Sequence, residues 1–232
     1  RDYSHWNSVC NTIREKLADF DMYPPNILMR DISRLVPENA VVTTDVGQNQ
    51  VWTAQWFEIK NNQSVLFSGG MGAMGHALPA AIGAHFGSGG KIAVAICGDG
   101  GMQMNIQELQ FIARDKLPVK IIVFNNNALG MIRHFQETYF EGRYYQTRPE
   151  GGFSSPSFSK IAEAYGIRAM EINSMEETGK CREMLSDDAP ALIEIKISGN
   201  TYEYPKLKFG NPNQDQEPTM DRALFNELMN LK

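Results

Sequence analysis

Two stretches decide the fold: KIAVAICGDGG at residues 91–101 and VKIIVFNNN at residues 119–127. Each is a short apolar run that ends in glycine, carboxylate or amide residues. The segment between them, IQELQFIARD (106–115), carries apolar residues at helical spacing. A buried strand, a helix and a second buried strand in this order are typical of a βαβ unit. The region therefore predicts two neighbouring parallel strands joined by a helix.

The same alternation continues on both sides of this unit. Further strand candidates are AVVTTD (40–45), SVLFSG (64–69), IRAMEI (167–172) and ALIEIKI (191–197). Helical spacing recurs in VWTAQWFEI (51–59), HALPAAIGAHF (76–86), SFSKIAEAYG (157–166) and EETGKCREML (176–185). Repeated strand-helix alternation implies a parallel sheet covered on both faces. The predicted fold class is α/β, a three-layer doubly wound parallel sheet with helices on both faces.

The N-terminal residues differ from this pattern. Residues 1–38 are expected to form a helical lead-in, with one helix over SHWNSVCNTIREKLADF (4–20) and a second over NILMRDISRLV (26–36). The pair Pro24-Pro25 suits the start of that second helix. The chain begins without an initiator Met and without signal-peptide character. These observations favour a piece of a longer polypeptide with a preceding domain.

The remainder of the chain is expected to hold the α/β domain and a tail. The domain is predicted to cover residues 39–200. Residues 201–232 begin as a polar tail and are predicted to end in a short helix, TMDRALFNELMNL (219–231).

Composition excludes several classes of protein. The 232 residues carry a formal net charge of -5 and no long basic run, so neither nucleic acid nor a polybasic membrane anchor is expected. No apolar run reaches the roughly 18 residues of a membrane span. The three cysteines, Cys10, Cys97 and Cys181, are odd in number and widely spaced. They fit reduced thiols in the cytoplasm, or in an organelle lumen if a transit segment has been removed.

Polar residues follow several of the predicted strands. In a doubly wound fold, ligands bind outside the carboxyl ends of the strands. That rule places Asp45, Gly70, Asp99 and residues 125–127 at one edge of the sheet.

Two glycine-rich turns compete as the phosphate-binding turn. The first, GGMGAMG (69–75), contains a G-x-G-x-x-G pattern at Gly70, Gly72 and Gly75, follows a strand and opens a helix, as in a dinucleotide-binding domain. Such a domain usually carries an acidic residue about 20 positions further on, and Asp99 is the nearest candidate. A nicotinamide-dinucleotide-binding domain is therefore one hypothesis.

The second turn, CGDGG (97–101), favours a different ligand. Its carboxylate is followed at once by two glycines and a helix, so backbone N–H groups lie beside an anionic oxygen ligand. Asn126 lies 27 residues after Asp99, one strand-helix-strand unit away. Mg²⁺ prefers oxygen ligands and often takes only one or two carboxylates together with substrate phosphates. An Asp, an Asn amide and a loop carbonyl therefore suit a diphosphate bridged to Mg²⁺.

These motifs resemble the thiamine diphosphate enzymes, whose metal-diphosphate motif is GDG followed after an interval in the high twenties by NN. The resemblance is closest to the acetolactate (acetohydroxyacid) synthases and covers roughly residues 20–200. It is carried by TTDVGQNQVW (43–52), GGMGAMGHALPAAIGA (69–84), GDGGMQMNIQELQ (98–110), LPVKIIVFNNNALGMIR (117–133) and FEGRYYQT (140–147). In such enzymes this segment is the C-terminal, diphosphate-binding domain.

The resemblance implies a set of site residues. Thiamine diphosphate would be bound by Gly47, Gln48, Asn49, Gly72, Met74, Gly98, Asp99, Gly100, Gly101, Asn126, Ala128, Gly130 and Met131. Asp99, Asn126 and the carbonyl of Ala128 would ligate Mg²⁺. The catalytic roles would fall to Met74, which wedges between the two rings of the cofactor, and to Gly72, whose carbonyl accepts a hydrogen bond from the aminopyrimidine.

The resemblance also implies a reaction. Pyruvate or a similar 2-oxo acid would be decarboxylated and the two-carbon unit transferred to a second carbonyl, with thiamine diphosphate as the electron sink. A related lyase or decarboxylase with another acceptor is the alternative within this cofactor class, and a non-catalytic assembly module is a further one. Phe135 stands where the synthases usually carry a Trp in the acceptor pocket, so Phe135 and Met131 are the predicted substrate-pocket residues.

The resemblance finally implies partners. The Glu that activates the cofactor belongs to an N-terminal pyrimidine-binding domain, and no segment here resembles that domain. It is therefore expected on another chain or on further polypeptide, in a homo- or hetero-oligomer. FAD would bind only through a further domain. The Met-rich stretch at Met71, Met74, Met102 and Met104 is the expected contact rim.

Overall fold

The computed structural model describes residues 3–16 and 23–230. They form two compact units, one of residues 28–202 and one of the residues before 28 together with those after 202. The strands are β1 Val41–Thr44, β2 Ser64–Phe67, β3 Ala93–Gly98, β4 Val119–Asn125, β5 Arg168–Ile172 and β6 Ala191–Lys196. The α-helices are α1 Ser4–Lys16, α2 Pro24–Leu35, α3 Gln48–Trp56, α4 Ala77–Gly87, α5 Asp99–Met104, α6 Leu109–Asp115, α7 Gly130–Tyr139, α8 Phe158–Ala164, α9 Arg182–Ser186 and α10 Arg222–Met229.

The six strands form one parallel sheet in the order β2-β1-β3-β4-β6-β5. Each corresponds to a strand predicted from the sequence, so the α/β fold class is confirmed. The predicted helix over 176–185 is a 3₁₀ segment, Met175–Cys181, followed by α9. The last residues of two predicted terminal helices, 17–20 and Leu231, lie outside the described residues.

Alternating side chains of the central strands build two separate cores. On one face, Val94, Ile96 and Ile122 pack with residues of α2, α3 and α9. On the other face, Ala93 and Ala95 pack with residues of α4, α5, α6 and α8. Burial on both faces explains why these strands are continuous apolar runs in the sequence.

Helix α10 belongs to the second unit. Asp221 is the N-cap of helix α10, and its carboxylate accepts hydrogen bonds from the N–H groups of Ala223 and Leu224. Lys206 and Glu217 form an antiparallel bridge. The division of the chain into a lead-in, a diphosphate domain and a tail stays a prediction, because a compact unit defines packing and not function. Among the residues described, no helix is long and apolar enough to cross a membrane.

A buried lysine lies in the central strand β4. The side chain of Lys120 is fully buried, and its Nζ donates to Asp187 Oδ1 at 2.7 Å and to the carbonyl of Ala189. Burial lowers the pKa of Lys120 although Asp187 opposes the shift, so desolvation outweighs the ion pair. Partial burial works to raise the pKa of Asp187, but hydrogen bonds from Lys120, Arg168 and the Ala189 N–H lower it to about 2. The buried ammonium of Lys120 therefore depends on the Asp187 carboxylate as its counter-charge.

We predict that Asp187→Ala lowers the free energy of unfolding by about 2–3 kcal/mol at neutral pH, because it leaves a buried ammonium without its counter-charge. Lys120→Met should be close to neutral, and Asp187→Ala in that background should cost less than about 1 kcal/mol. Because the folded-state pKa of Asp187 is depressed, the parent should lose this contribution as the pH falls from about 4 towards 2. Urea unfolding of the double-mutant cycle measures each value, and equal costs of Asp187→Ala in both backgrounds would refute the coupling.

Candidate active site

The chain creates a crevice at the carboxyl edge of the sheet. After β1 it continues into α3 on one face, whereas after β3 it continues into α5 and α6 on the other. Strands β1 and β3 are neighbours, so the connections diverge and leave a gap between their ends. Asp45 follows β1 at this edge, Asp99 follows β3, and residues 125–127 end β4 and continue from it. The edge predicted from the sequence is the edge found.

A cavity of about 270 Å³ occupies this crevice. Its lining residues come from the ends of four strands and the starts of the segments that follow them. They are Val46, Gly47, Gln48, Asn49, Trp52, Gly72, Met74, Gly98, Asp99, Gly100, Gly101, Phe124, Asn126, Ala128, Leu129, Gly130, Met131 and Ile132. The structure thus brings together every residue that the sequence predicts to bind the cofactor.

Asp99 is the buried acid of the cavity. Its side chain is 2% exposed, and its oxygens accept hydrogen bonds from the N–H groups of Gly100 at 2.8 Å and Ala128 at 3.1 Å. Burial raises the pKa of Asp99 to about 6, although N–H groups of Gly100, Ala128 and Asn127 oppose the shift. A carboxylate with this environment is stabilised by a cation next to it.

The oxygens of Asp99 and Asn126 converge. The N–H of Ala128 lies 3.1 Å from Asp99 Oδ2 and 3.2 Å from Asn126 Oδ1. A carboxylate oxygen and an amide oxygen therefore lie close together on the cavity wall, and oxygens of these two types are ligands that Mg²⁺ prefers. Within residues 3–16 and 23–230 there is no cluster of three His, Cys, Asp or Glu side chains that could hold a metal, and the predicted set needs none.

Neighbouring amides have structural roles. Asn125 Nδ2 donates to Glu194 Oε1 at 2.6 Å, and Asn125 Oδ1 accepts from the Asn127 N–H at 3.0 Å. Asn49 Nδ2 donates to the carbonyls of Asp45 at 2.8 Å and Ile96 at 3.3 Å, which ties the ends of β1 and β3 together.

Close contacts explain two glycines of the cavity wall. A Cβ on Gly100 would lie 2.5 Å from Leu129 Cδ2, and a Cβ on Gly130 would lie 2.2 Å from Gln48 Oε1. Real Cβ atoms essentially never come this near to another heavy atom, so either side chain would have to move. The wall is therefore built from backbone that packs against its neighbours.

Asp45 contacts the first of the two glycine-rich turns. Its buried carboxylate accepts from the N–H groups of Gly75 and His76, each at 3.0 Å, and from Val46 at 3.1 Å. Burial raises the pKa of Asp45, and these hydrogen bonds oppose the shift. The N–H groups at the start of α4 are thus occupied by a carboxylate, which would also repel a phosphate. This contact disfavours the dinucleotide hypothesis for residues 69–75.

Only some of the predicted substrate-pocket and contact-rim residues lie at the cavity or at the surface. Met131 lines the cavity, whereas Phe135 packs on Tyr139 with ring centroids 4.8 Å apart and is not among the lining residues. Met71 and Met104 are exposed, as a contact rim requires, and Met74 is half-buried. Assigning Met102 to the rim was wrong: it is 1% exposed and packs in the core, because it lies on the face of α5 that covers the sheet.

The cavity residues that sequence reasoning missed are Val46, Trp52, Phe124, Leu129 and Ile132, and it also missed Thr201 beside them. Trp52 lines the cavity and lies one helical turn after Gln48, so the i, i+4 spacing could have indicated it. Thr201 is 7% exposed and bonds to Gln48 and Asn126. It lies in an aperiodic segment after the last strand, where no pattern points to it.

Comparison with known proteins agrees with this geometry. Residues 45–195 match the model of the thiamine pyrophosphate enzyme C-terminal TPP binding domain, so the chain belongs to that family. It is 35% identical over 90% of its length to an acetolactate synthase large subunit of Lactococcus lactis, and 39% identical over 82% to that of Pyropia yezoensis. It is 34% identical over 90% to the isozyme 2 large subunit of Escherichia coli. The chain spans 37%, 32% and 39% of these relatives' lengths, respectively.

We predict that Gly101→Ala destabilises the protein by about 2 kcal/mol, because the added Cβ would lie 2.0 Å from Asp45 Oδ2. In an Asp45→Ala background the same change should cost less than about 1 kcal/mol, since the blocking carboxylate is absent. Gly83→Ala in α4 is the control, because its Cβ would meet no atom within 4 Å. Chemical denaturation checks all variants; equal costs of Gly101→Ala in both backgrounds would count against the contact.

Proposed function

We propose that this chain is the diphosphate-binding domain of an acetolactate synthase-like enzyme, in which thiamine diphosphate and Mg²⁺ bind in the crevice between β1, β3 and β4. The observation that carries the proposal is the convergence of Asp99 Oδ2 and Asn126 Oδ1 on the N–H of Ala128. Membership of the family and the similarity to acetolactate synthase large subunits support it.

The cavity suits a ligand with one charged end and one aromatic end. Asp99 and Asn126 are among its lining residues and would hold Mg²⁺, together with the carbonyl of Ala128. Apolar side chains also line it, those of Trp52, Met74, Phe124, Leu129, Met131 and Ile132. The two polar side chains would orient the diphosphate, and the apolar side chains would exclude water from the rings.

The turn that carries Gly72 and Met74 would hold the rings. Gly72 has φ +59° and lines the cavity, so its backbone would lie beside the bound cofactor. Met74 lies on the same wall and would act as the wedge. The cofactor, when bound, would supply the electron sink for decarboxylation of a 2-oxo acid such as pyruvate.

The proposal includes a partner domain. We infer that a pyrimidine-binding domain on another chain or on further polypeptide supplies the activating Glu and covers the open side of the cavity. Exposed Met71, Met104 and Ile132 are the apolar residues that it would cover. The assembly would be a homo- or hetero-oligomer in a reducing, cytosol-like compartment, which fits the three free cysteines. FAD would require a further domain.

A lyase or decarboxylase with another acceptor is the second candidate. The binding residues would be the same, and only the residues around the acceptor would differ. Product analysis with pyruvate as the sole substrate separates the two: acetolactate supports the synthase, and acetaldehyde alone supports the decarboxylase.

We predict that Asp99→Ala weakens Mg²⁺-dependent binding of thiamine diphosphate by at least about 100-fold. Loss of a residue that merely supports a metal ligand typically costs about 10–100-fold, and Asp99 would be the ligand itself. Asn126→Ala should behave similarly, and the exposed Asp115→Ala should bind as the parent does. Isothermal calorimetry measures these affinities, with NAD as the comparison ligand. Unchanged affinity in the Asp99 variant would remove the metal assignment.

We predict that the 232 residues alone release no CO₂ from pyruvate at saturating cofactor, because no segment here resembles the pyrimidine-binding domain that would carry the activating Glu. Adding a polypeptide with the pyrimidine-binding domain should give activity, and adding it to the Asp99→Ala chain should not. Measurable turnover by the pure chain would show that the activating group lies within it.

We predict that Phe135→Trp changes the ratio of kcat/KM for two acceptors, such as pyruvate and 2-oxobutyrate, by roughly 10-fold or more in the assembled enzyme. Met131 lines the cavity, and Phe135 lies one turn after it on the same face of α7, which supports a place for Phe135 near the acceptor. The control is Phe111→Trp, which lies on α6. A competition assay scores both products, and a ratio within twofold of the parent would exclude Phe135 from the acceptor pocket.

A further inference from the structure

We propose that Thr201 is a positioning residue that fixes the orientation of the Asn126 amide so that its oxygen faces the metal position. This inference rests on the proposed function, since it concerns the Mg²⁺ site. An asparagine amide has an oxygen end and an NH₂ end of nearly the same shape, but only the oxygen can bind a cation. Something in the protein must therefore select one orientation.

The orientation of the Asn126 amide is set through a carbonyl group, which can only accept hydrogen bonds. The main-chain carbonyl of Thr201 accepts from Gln48 Nε2 at 2.8 Å, which forces the Oε1 of Gln48 to the opposite side. That Oε1 lies 3.1 Å from Asn126 Nδ2 and 3.0 Å from the Thr201 hydroxyl. The NH₂ group of Asn126 therefore donates to Gln48 Oε1, and Asn126 Oδ1 points to the N–H of Ala128.

The hydroxyl of Thr201 completes this arrangement. Its Oγ1 accepts from Asn126 Nδ2 at 3.2 Å while it donates to Gln48 Oε1. Both hydrogen bonds have a consistent direction only when Asn126 turns its NH₂ group to Gln48 and Thr201 and its oxygen to the N–H of Ala128. Thr201, Gln48 and Asn126 are each less than 9% exposed, so water has little access to replace the hydroxyl.

The segment that carries Thr201 is itself held in place. The guanidinium of Arg133 donates to the Thr201 carbonyl, lies 4.6 Å from the ring centre of Tyr202 and pairs with Glu137 at 2.8 Å. Trp52 Nε1 donates to the Tyr202 carbonyl at 2.9 Å. Helices α3 and α7 therefore fix the carbonyl from which the orientation of both amides follows.

The test compares variants of the whole 232-residue chain by tryptophan fluorescence, with Trp52 in the cavity wall as the reporter. Mg²⁺ is titrated at saturating thiamine diphosphate. Thr201→Val removes the hydroxyl and should weaken the apparent Mg²⁺ affinity about 10-fold or more, the effect typical of residues that orient metal ligands. Thr201→Ser keeps the hydroxyl and should remain within about threefold of the parent.

The control variant is Thr178→Val. Thr178 is buried and donates its hydroxyl to the Met175 carbonyl at 2.8 Å, so it matches Thr201 chemically but takes no part in the cavity. Its Mg²⁺ affinity should be unchanged even if its melting temperature falls as much as that of Thr201→Val. Thr201→Ala provides a second hydroxyl-free variant if Val is not accommodated, with the same expected loss.

Three outcomes are informative. A 10-fold loss in Thr201→Val that Thr201→Ser restores supports the inference. A Thr201→Val or Thr201→Ala affinity within twofold of the parent, or an equal loss in Thr201→Ser, overturns it while the proposed function stands. Parent-like Mg²⁺ affinity in Asp99→Ala would instead remove the metal site itself, and the inference with it.

Discussion

The site depends on hydrogen bonding between the ends of two neighbouring strands. Asp99 follows β3, Asn126 follows β4, and both present an oxygen to the single N–H of Ala128. Parallel pairing of β3 and β4 fixes the separation of these oxygens, because Gly98 is in register with Phe124. A buried carboxylate and amide oxygen held in this way are poorly solvated, which is the condition under which a divalent cation is bound well.

The elements predicted best are those buried on both faces. Strands β3 and β4 are short, almost entirely apolar runs. Between segments with helical spacing, runs of this kind are typical of strands buried on both faces, so they could be predicted from the sequence. Residues directly after such strands must lie at the sheet edge, so Asp99 and Asn126 could be placed from the sequence. Thr201 could not, because its partner Gln48 is 153 positions away and no periodicity connects them.

The two glycine-rich turns show a different limit of sequence reasoning. Both turns follow strands and precede helices, and spacing alone does not separate a phosphate-binding turn from a turn that binds a side chain. A tertiary contact disfavours phosphate binding at the first turn, because Asp45 occupies the N–H groups of Gly75 and His76. The assignment of Met102 to the contact rim was wrong for a related reason. Its position in a Met-rich stretch gives no information about which helix face it occupies.

The most direct test of the central claim is a crystal structure of the chain with thiamine diphosphate and Mn²⁺, with diffraction data collected at the manganese absorption edge. The account predicts one anomalous peak within about 2.0–2.3 Å of an Asp99 carboxylate oxygen, Asn126 Oδ1 and the Ala128 carbonyl, with diphosphate oxygens in the same coordination shell. A metal peak elsewhere, or a diphosphate bound at residues 69–75 without contact to Asp99, would contradict it.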